Sequence, residues 1–255
     1  KQRFFGTWGD IGIVNATIQA LKIAYKKDRK GYFILMSGQD YPLRSNSDIF
    51  NFLKESYGID FITAYEIPHS GWAEGGIDRL DKYKLNKSLN RKHFVQLPSI
   101  YDSSFYSLKT IGKLNFLRKS RRFEEMKLVL KKRKFPGYLK PYGGSQWWSL
   151  TAETIGIILN FIDQHPDYID YHQNTLLPDE IFFHSIIKTL QESNKLKSSL
   201  TYVNWERPTG PLPVTFKMED FEELKEASKD HLFARKFDVH LDEEILDEID
   251  NNLLT

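Results

Sequence analysis

Apolar positions fall into two rhythms along this chain. From about Trp8 to Lys27, Ile11, Val14, Ile18, Leu21 and Tyr25 recur at helical spacing and share one face. Thr7 stands where an N-cap would. Gly31 then introduces Tyr32-Phe33-Ile34-Leu35-Met36, an unbroken apolar run. Such a run predicts a central strand buried on both faces. It ends in the polar turn Ser37-Gly38-Gln39-Asp40-Tyr41-Pro42. Asn46 or Ser47 opens a second helix through Ile49, Phe52 and Leu53, and Asp60 to Ala64 predicts the next strand. Helix, strand, helix, strand in this order argues for an α/β sheet.

The rhythm is lost from residue 66 to 108, where Gly, Pro and aromatics mix. From Lys109 to Lys140 there are twelve Lys/Arg and two Glu, a local +10. That stretch reads as a solvated helix with a basic face, or as a stretch that rests on an anionic membrane surface. No aromatic pattern interleaves it as single-stranded nucleic acid would require. Pro141 to Leu150 reads as a Gly-Gly turn followed by Ser145-Gln146-Trp147-Trp148. Thr151 caps a helix through Ile155, Ile158, Leu159 and Ile162, and Pro178 opens another through Phe182, Phe183, Ile186 and Ile187. Leu200 to Val203 predicts a short strand, and Pro208, Pro211 and Pro213 a loop. With no repeat and no linker, residues 1–255 read as one domain.

Composition narrows the class. Hydrophobic residues are 40% and charged residues 27%, as in a soluble globular protein. Net charge is only +2, so no global charge argues for nucleic acid. There is no cysteine, hence no disulfide frame and no thiolate site. A cytoplasmic, reducing compartment, as in a bacterium, is the expected location, with peripheral membrane contact through the basic stretch as an addition.

Candidate chemistry lies in three places. Leu177-Pro178-Asp179-Glu180 carries ordinary helix-start signals, and a carboxylate there could also take a proton from an acceptor hydroxyl. Asp40 follows the apolar strand, where ligands of open α/β sheets collect. It could bind sugar hydroxyls, or simply shape the turn before Pro42. Arg235 and Lys236 stand side by side in a segment, Glu219 to Asp250, with thirteen acids and four bases. The pair could neutralise a diphosphate or form surface salt bridges. There is no phosphate-binding loop, no dinucleotide fingerprint, no metalloprotease motif, no histidines at metal-ligand spacing, and no Asp-x-Asp pair.

Six short segments, in order, are Thr7-Trp8-Gly9, Tyr32 to Leu43, Gly144-Ser145-Gln146-Trp147-Trp148, Pro178-Asp179-Glu180, Tyr202-Val203-Asn204-Trp205 and Phe233 to Asp238. Together they resemble the glycosyltransferase family of core-2/I-branching N-acetylglucosaminyltransferases and peptide xylosyltransferases, over nearly the whole chain. The resemblance implies a glycosyltransferase A-type fold, a Rossmann-like α/β/α sandwich. It implies inverting transfer from a UDP-sugar without a metal or other cofactor. It makes Glu180 the catalytic base and Lys236 a diphosphate ligand, with Arg235 matching the Arg-Lys form of the xylosyltransferase branch. A second basic diphosphate ligand falls at Arg207 or Lys217, after the Tyr-x-x-Trp segment. The family's leading strand lies upstream of Thr-Trp-Gly, and little precedes Thr7. Either part of the chain is missing there or the nucleotide pocket is built otherwise.

The mechanism this implies is a single displacement, with Glu180 deprotonating a hydroxyl of a glycan acceptor while Arg235 and Lys236 meet the charge of the departing diphosphate. Asp40, Ser145, Trp147, Trp148 and Trp205 shape the sugar sites, and Arg79 touches the acceptor. The expected donor sugar is GlcNAc, with xylose as the alternative. Rivals from other classes are a carbohydrate-binding module that lost catalysis and a basic scaffold at a membrane surface.

Overall fold

The structure is a computed structural model describing residues 3–255. Its elements follow in chain order. They are α1 (Gly12–Lys27), β1 (Tyr32–Ile34), β2 (Asp40–Pro42), α2 (Asn46–Glu55), β3 (Asp60–Glu66), α3 (Ile77–Asp81), β4 (Tyr83–Asn86), β5 (Phe94–Leu97), α4 (Leu108–Lys119) and α5 (Phe123–Leu128). Then come β6 (Tyr142–Thr151), α6 (Ala152–Gln164), α7 (Pro166–His172), α8 (Phe182–Leu190), β7 (Leu196–Lys197), β8 (Thr201–Val203), α9 (Phe221–Ala227), β9 (Phe233–Arg235) and α10 (Glu244–Asn252). The fold is mixed α/β, as expected and consistent with the glycosyltransferase A type. The chain forms two compact units. Among the described residues, one comprises 3–28, 64–144 and 156–190, the other 29–63, 145–155 and 191–255.

In the first unit α1 buries Val14, Ile18 and Leu21, the face its periodicity predicted. Thr7 does not cap it. Its carbonyl accepts the Asp10 N–H at 3.1 Å, closing a turn through Gly9 (φ +69°), and the helix starts only at Gly12. The irregular region holds an antiparallel hairpin, Tyr83 opposite Leu97 through Asn86 opposite Phe94. Tyr83-Lys84-Leu85-Asn86 alternates apolar and polar, but the strand is only four residues long and its polar face is covered as well. Lys84 is buried, its ammonium donating to the Asp10 carboxylate and, at 3.2 Å, to the Trp8 carbonyl. The basic stretch is two helices, α4 and α5, broken at Arg121 in the left-handed region (φ 57°). They close a small core with the hairpin through Leu85, Val95, Leu97, Leu117 and Val129. One of its cations does not face solvent. Arg133 is buried, donates to the carbonyls of Leu80 and Tyr171 and to Thr175 Oγ1, and lies 4.4 Å over the Tyr171 ring.

The second unit holds a four-stranded sheet in the order β1-β6-β3-β7. The apolar run of β1 sits at its edge, half-buried, and not at its centre. It pairs antiparallel to β6, with Tyr32 opposite Thr151. Gly143 and Gly144 make no turn and lie within the ten-residue strand β6. A three-stranded sheet, β2-β9-β8, sets Asp40 opposite Arg235 and, on the other side, Val203 opposite Arg235. Leu43, Val214, Phe216, Leu224, Ala234, Phe237, Ile245 and Ile249 pack beneath it. Asp60, at the start of β3, is fully buried, and its carboxylate accepts from Thr151 N at 2.7 Å, Thr154 Oγ1 at 2.5 Å and Gln191 Nε2 at 3.0 Å. These hydrogen bonds offset part of the cost of burying the group and fix where β6 ends and α6 begins.

Candidate active-site clusters

Glu180 closes a single 3-10 turn, Pro178–Glu180, and α8 begins only at Phe182. The turn is entered through Leu177, a non-glycine residue in the left-handed region (φ 52°). Such a conformation is uncommon and tends to mark functional sites. It is held by a hydrogen bond from Leu177 N to the Gly9 carbonyl at 3.1 Å. Two segments far apart in sequence, Thr7-Trp8-Gly9 and Pro178-Asp179-Glu180, therefore meet. Glycine is favoured at position 9 by its positive φ, and an added Cβ would crowd Leu176 Cδ1 at 3.3 Å.

The Glu180 side chain remains 30% exposed. Arg79, on α3, donates to its Oε2 at 2.5 Å, and this is the only hydrogen bond to that carboxylate among the described residues. Arg79 is itself fixed, its guanidinium lying 3.8 Å over the ring of Trp72. The indole is admitted by Gly143, where any Cβ would overlap the ring. Trp72 was not singled out from the sequence, and the glycine that makes room for it was read as part of a turn. Asp179 is buried instead. Its Oδ1 has no hydrogen-bond partner among the described residues, and burial followed by the neighbouring Glu180 pushes its pKa up to about 7. The two adjacent acids thus have different environments, one partly open and held by Arg79, the other buried.

In the second unit the Arg235-Lys236 pair divides. Arg235 lies 3.9 Å over Trp147, and its Nε is 3.5 Å from Asp40 Oδ1, close enough for an ion pair without a hydrogen bond. Burial lowers the Arg235 pKa and raises that of Asp40. Asp40 is 1% exposed and also accepts from Ser37 N at 2.7 Å and Ser37 Oγ at 3.1 Å, so it does shape the turn before Pro42. The half-buried Lys236 has neither an ion-pair nor a side-chain hydrogen-bond partner among the described residues. Its backbone is fixed by Lys236 N to Val214 O at 3.3 Å and Phe216 N to Lys236 O at 2.9 Å.

The remaining candidates are scattered through the second unit. Arg207 donates to Asp220 Oδ1 at 2.5 Å and lies 3.7 Å from Glu223, so two carboxylates already neutralise it. The Asp220 hydrogen bond raises its pKa. The Lys217 backbone N–H donates to the same Asp220 at 2.9 Å. Ser145 is half-buried in β6, Trp148 is buried, and Trp205 stands 60% exposed after β8. Among the described residues no three His, Asp or Glu side chains gather as a metal site would need. No helix among them is long and apolar enough to cross a membrane.

These parts define a mixed α/β protein with a supported carboxylate in one unit and a cation-bearing strand end in the other. The chain belongs to the Core-2/I-branching enzyme family, a family of glycosyltransferases, whose model matches residues 3–227. It is 23% identical over 269 residues to xylosyltransferase 2 of Rattus norvegicus, covering 98% of this chain and 27% of that protein. It is 25% identical to human (Homo sapiens) xylosyltransferase 2, covering 87% of this chain and 23% of that protein. Xylosyltransferase 1 of Mus musculus is 21% identical, covering 96% of this chain and 24% of that protein. The chain thus spans about a quarter of the length of the curated relatives it matches.

Proposed function

We infer that this chain is an inverting glycosyltransferase that moves a sugar from a UDP-sugar to a hydroxyl of a glycan or protein acceptor without a metal ion. The observation that carries the reading is the state of Glu180, a carboxylate partly open to solvent with one oxygen held by an anchored arginine. The free oxygen takes the proton of the acceptor hydroxyl. The acceptor oxygen bonds to the anomeric carbon as the bond from that carbon to the diphosphate breaks, and the electron pair leaves on UDP. Lys236, whose side chain has no ion-pair or hydrogen-bond partner among the described residues, and Arg235, whose guanidinium is paired there with Asp40 at 3.5 Å, meet the negative charge that develops. Arg207 is assigned to the diphosphate more weakly, since it would have to exchange two carboxylates. Trp147 backs Arg235. Ser145, Trp148 and Trp205 are assigned to the sugars.

The donor sugar is GlcNAc or xylose. GlcNAc comes from the branching enzymes of the family, and the names of the relatives favour xylose. The test is a screen of UDP-sugars for transfer and hydrolysis, with UDP affinity measured by calorimetry, in excess EDTA. Binding of UDP and turnover of UDP-GlcNAc or UDP-xylose in EDTA support the reading. Loss of turnover in EDTA that manganese restores overturns its metal-free part. UDP binding with no turnover of any donor favours a binding module, and no UDP binding overturns the reading altogether.

A further inference from the structure

Charge is unevenly distributed. Residues 82–134 hold sixteen Lys/Arg and three Asp/Glu, a net +13, so with a whole-chain charge of +2 the remainder carries −11. Two of the sixteen, Lys84 and Arg133, are buried, and most of the others face solvent. Within this stretch α4 is an unusual surface helix. At 100° per residue, Thr110 and Leu117 form its buried side. Leu108, Ile111, Gly112, Asn115, Arg118 and Lys119 line the opposite side, and all are exposed. Solvent-facing stripes are normally polar. Here the first turn presents Leu108 at 87% exposure and Ile111 at 52%, and the preceding 3-10 turn adds Tyr106 at 76%. The last turn of the same stripe is cationic, continuing into exposed Arg121, and no acid interrupts it.

We propose that this face of α4 docks the protein on an anionic phospholipid surface, with Tyr106, Leu108 and Ile111 entering the headgroup boundary and Arg118, Lys119 and Arg121 lying against the lipid phosphates. Charge complementarity selects an anionic partner, and the apolar end distinguishes a bilayer from a soluble polyanion. Phosphate contact asks only for cations, whereas a bilayer interface also takes up Leu, Ile and Tyr. The surface goes beyond the transfer reaction and does not depend on it.

The experiment is co-sedimentation of the full chain with phosphatidylcholine vesicles, with and without phosphatidylglycerol, against two variants of exposed positions only. The expected result is binding to the phosphatidylglycerol vesicles, weakened by salt, and little to phosphatidylcholine alone. Each cation near such a surface contributes a factor of about five. Arg118→Ala/Lys119→Ala/Arg121→Ala is therefore expected to weaken binding on the order of a hundred-fold. Leu108→Ser/Ile111→Ser is expected to weaken it by at least roughly ten-fold while the circular dichroism spectrum stays unchanged. Absence of vesicle binding overturns the proposal, as does equal binding to both vesicles. Heparin binding by the wild type that the Leu108/Ile111 variant keeps in full, alongside unchanged vesicle binding by that variant, assigns the face to an acidic polymer and also overturns it.

Discussion

Two arginines in this molecule are built alike and put to opposite use. Arg79 lies 3.8 Å over Trp72 and pairs with Glu180, and Arg235 lies 3.9 Å over Trp147 and pairs with Asp40. The difference is in the acids. Glu180 keeps 30% of its side chain in solvent, whereas Asp40 keeps 1%. Around Arg79 the arginine is the support and the carboxylate is presented. Around Arg235 the carboxylate is the support, and the side chain of the neighbouring cation, Lys236, has no ion-pair partner among the described residues. One motif, an arginine clamped between an indole and an acid, can therefore serve either sign of charge, depending on which member reaches water.

The comparison breaks first at Glu180. Glu180→Gln preserves shape and the hydrogen bond from Arg79 but removes the basic carboxylate. Transfer is expected to fall by about 10²–10⁴-fold, while UDP affinity by calorimetry stays unchanged. A near-normal rate would reduce Glu180 to a turn residue. Next is Lys236→Ala, expected to weaken UDP binding by roughly 1.5–3 kcal/mol, the scale of a charge-assisted hydrogen bond. Unchanged affinity would show that this end of β9 serves only the fold. Gly143→Ala follows. Its Cβ would overlap the Trp72 ring, so Arg79 loses its platform. The expected outcome is a kcat lowered on the order of ten-fold at unchanged UDP affinity, since a general base contributes only when positioned. Full kcat in a crystal structure with a displaced Trp72 would show that the clamp is dispensable.

The smallest effect concerns Asp179 and appears in stability. Its pKa, about 7 in the fold against 3.8 ordinarily, is raised, so the folded state holds its proton more tightly than the unfolded one. The contribution is therefore complete below the ordinary carboxylate range and is lost as pH rises through about 7. Asp179→Asn, permanently neutral, should melt several degrees above wild type at pH ~8 and close to it at pH ~5. Equal melting shifts at both pH values would place the ionised form in the fold.

The sequence made the helices plain and the surroundings of the site obscure, for a consistent reason. Helix α1 was legible because Val14, Ile18 and Leu21 bury one stripe. Helix α2 was legible because Asn46 and Ser47 give way to Ile49, Phe52 and Leu53, and its N-cap, Ser45, lies one residue before the expected start. What failed were elements whose surroundings depend on a long-range partner. Lys84 keeps the alternation of β4 yet is buried, because its counter-charge is Asp10, 74 residues earlier. Gly143 looked like a turn because its function, leaving room for an indole from residue 72, is visible only in three dimensions. At the candidate site, the residues named by family motifs could be listed from sequence. Their division into presented and supporting groups could not, since it depends on exposure and on tryptophans that carry no periodicity.

Asp60 bears on how the chain could be divided and rejoined. Its partners Thr151, Thr154 and Gln191 lie 91, 94 and 131 residues further on. A break anywhere in residues 67–140 would give one fragment a buried carboxylate with no donors and the other a set of donors with no acceptor. Neither piece could complete the sheet alone, and each would carry what the other lacks. A pair of such fragments, co-expressed, would make a complementation assay in which recovered fold reports recovered pairing at one aspartate. Asp60→Ala in the first fragment is the control that should silence it.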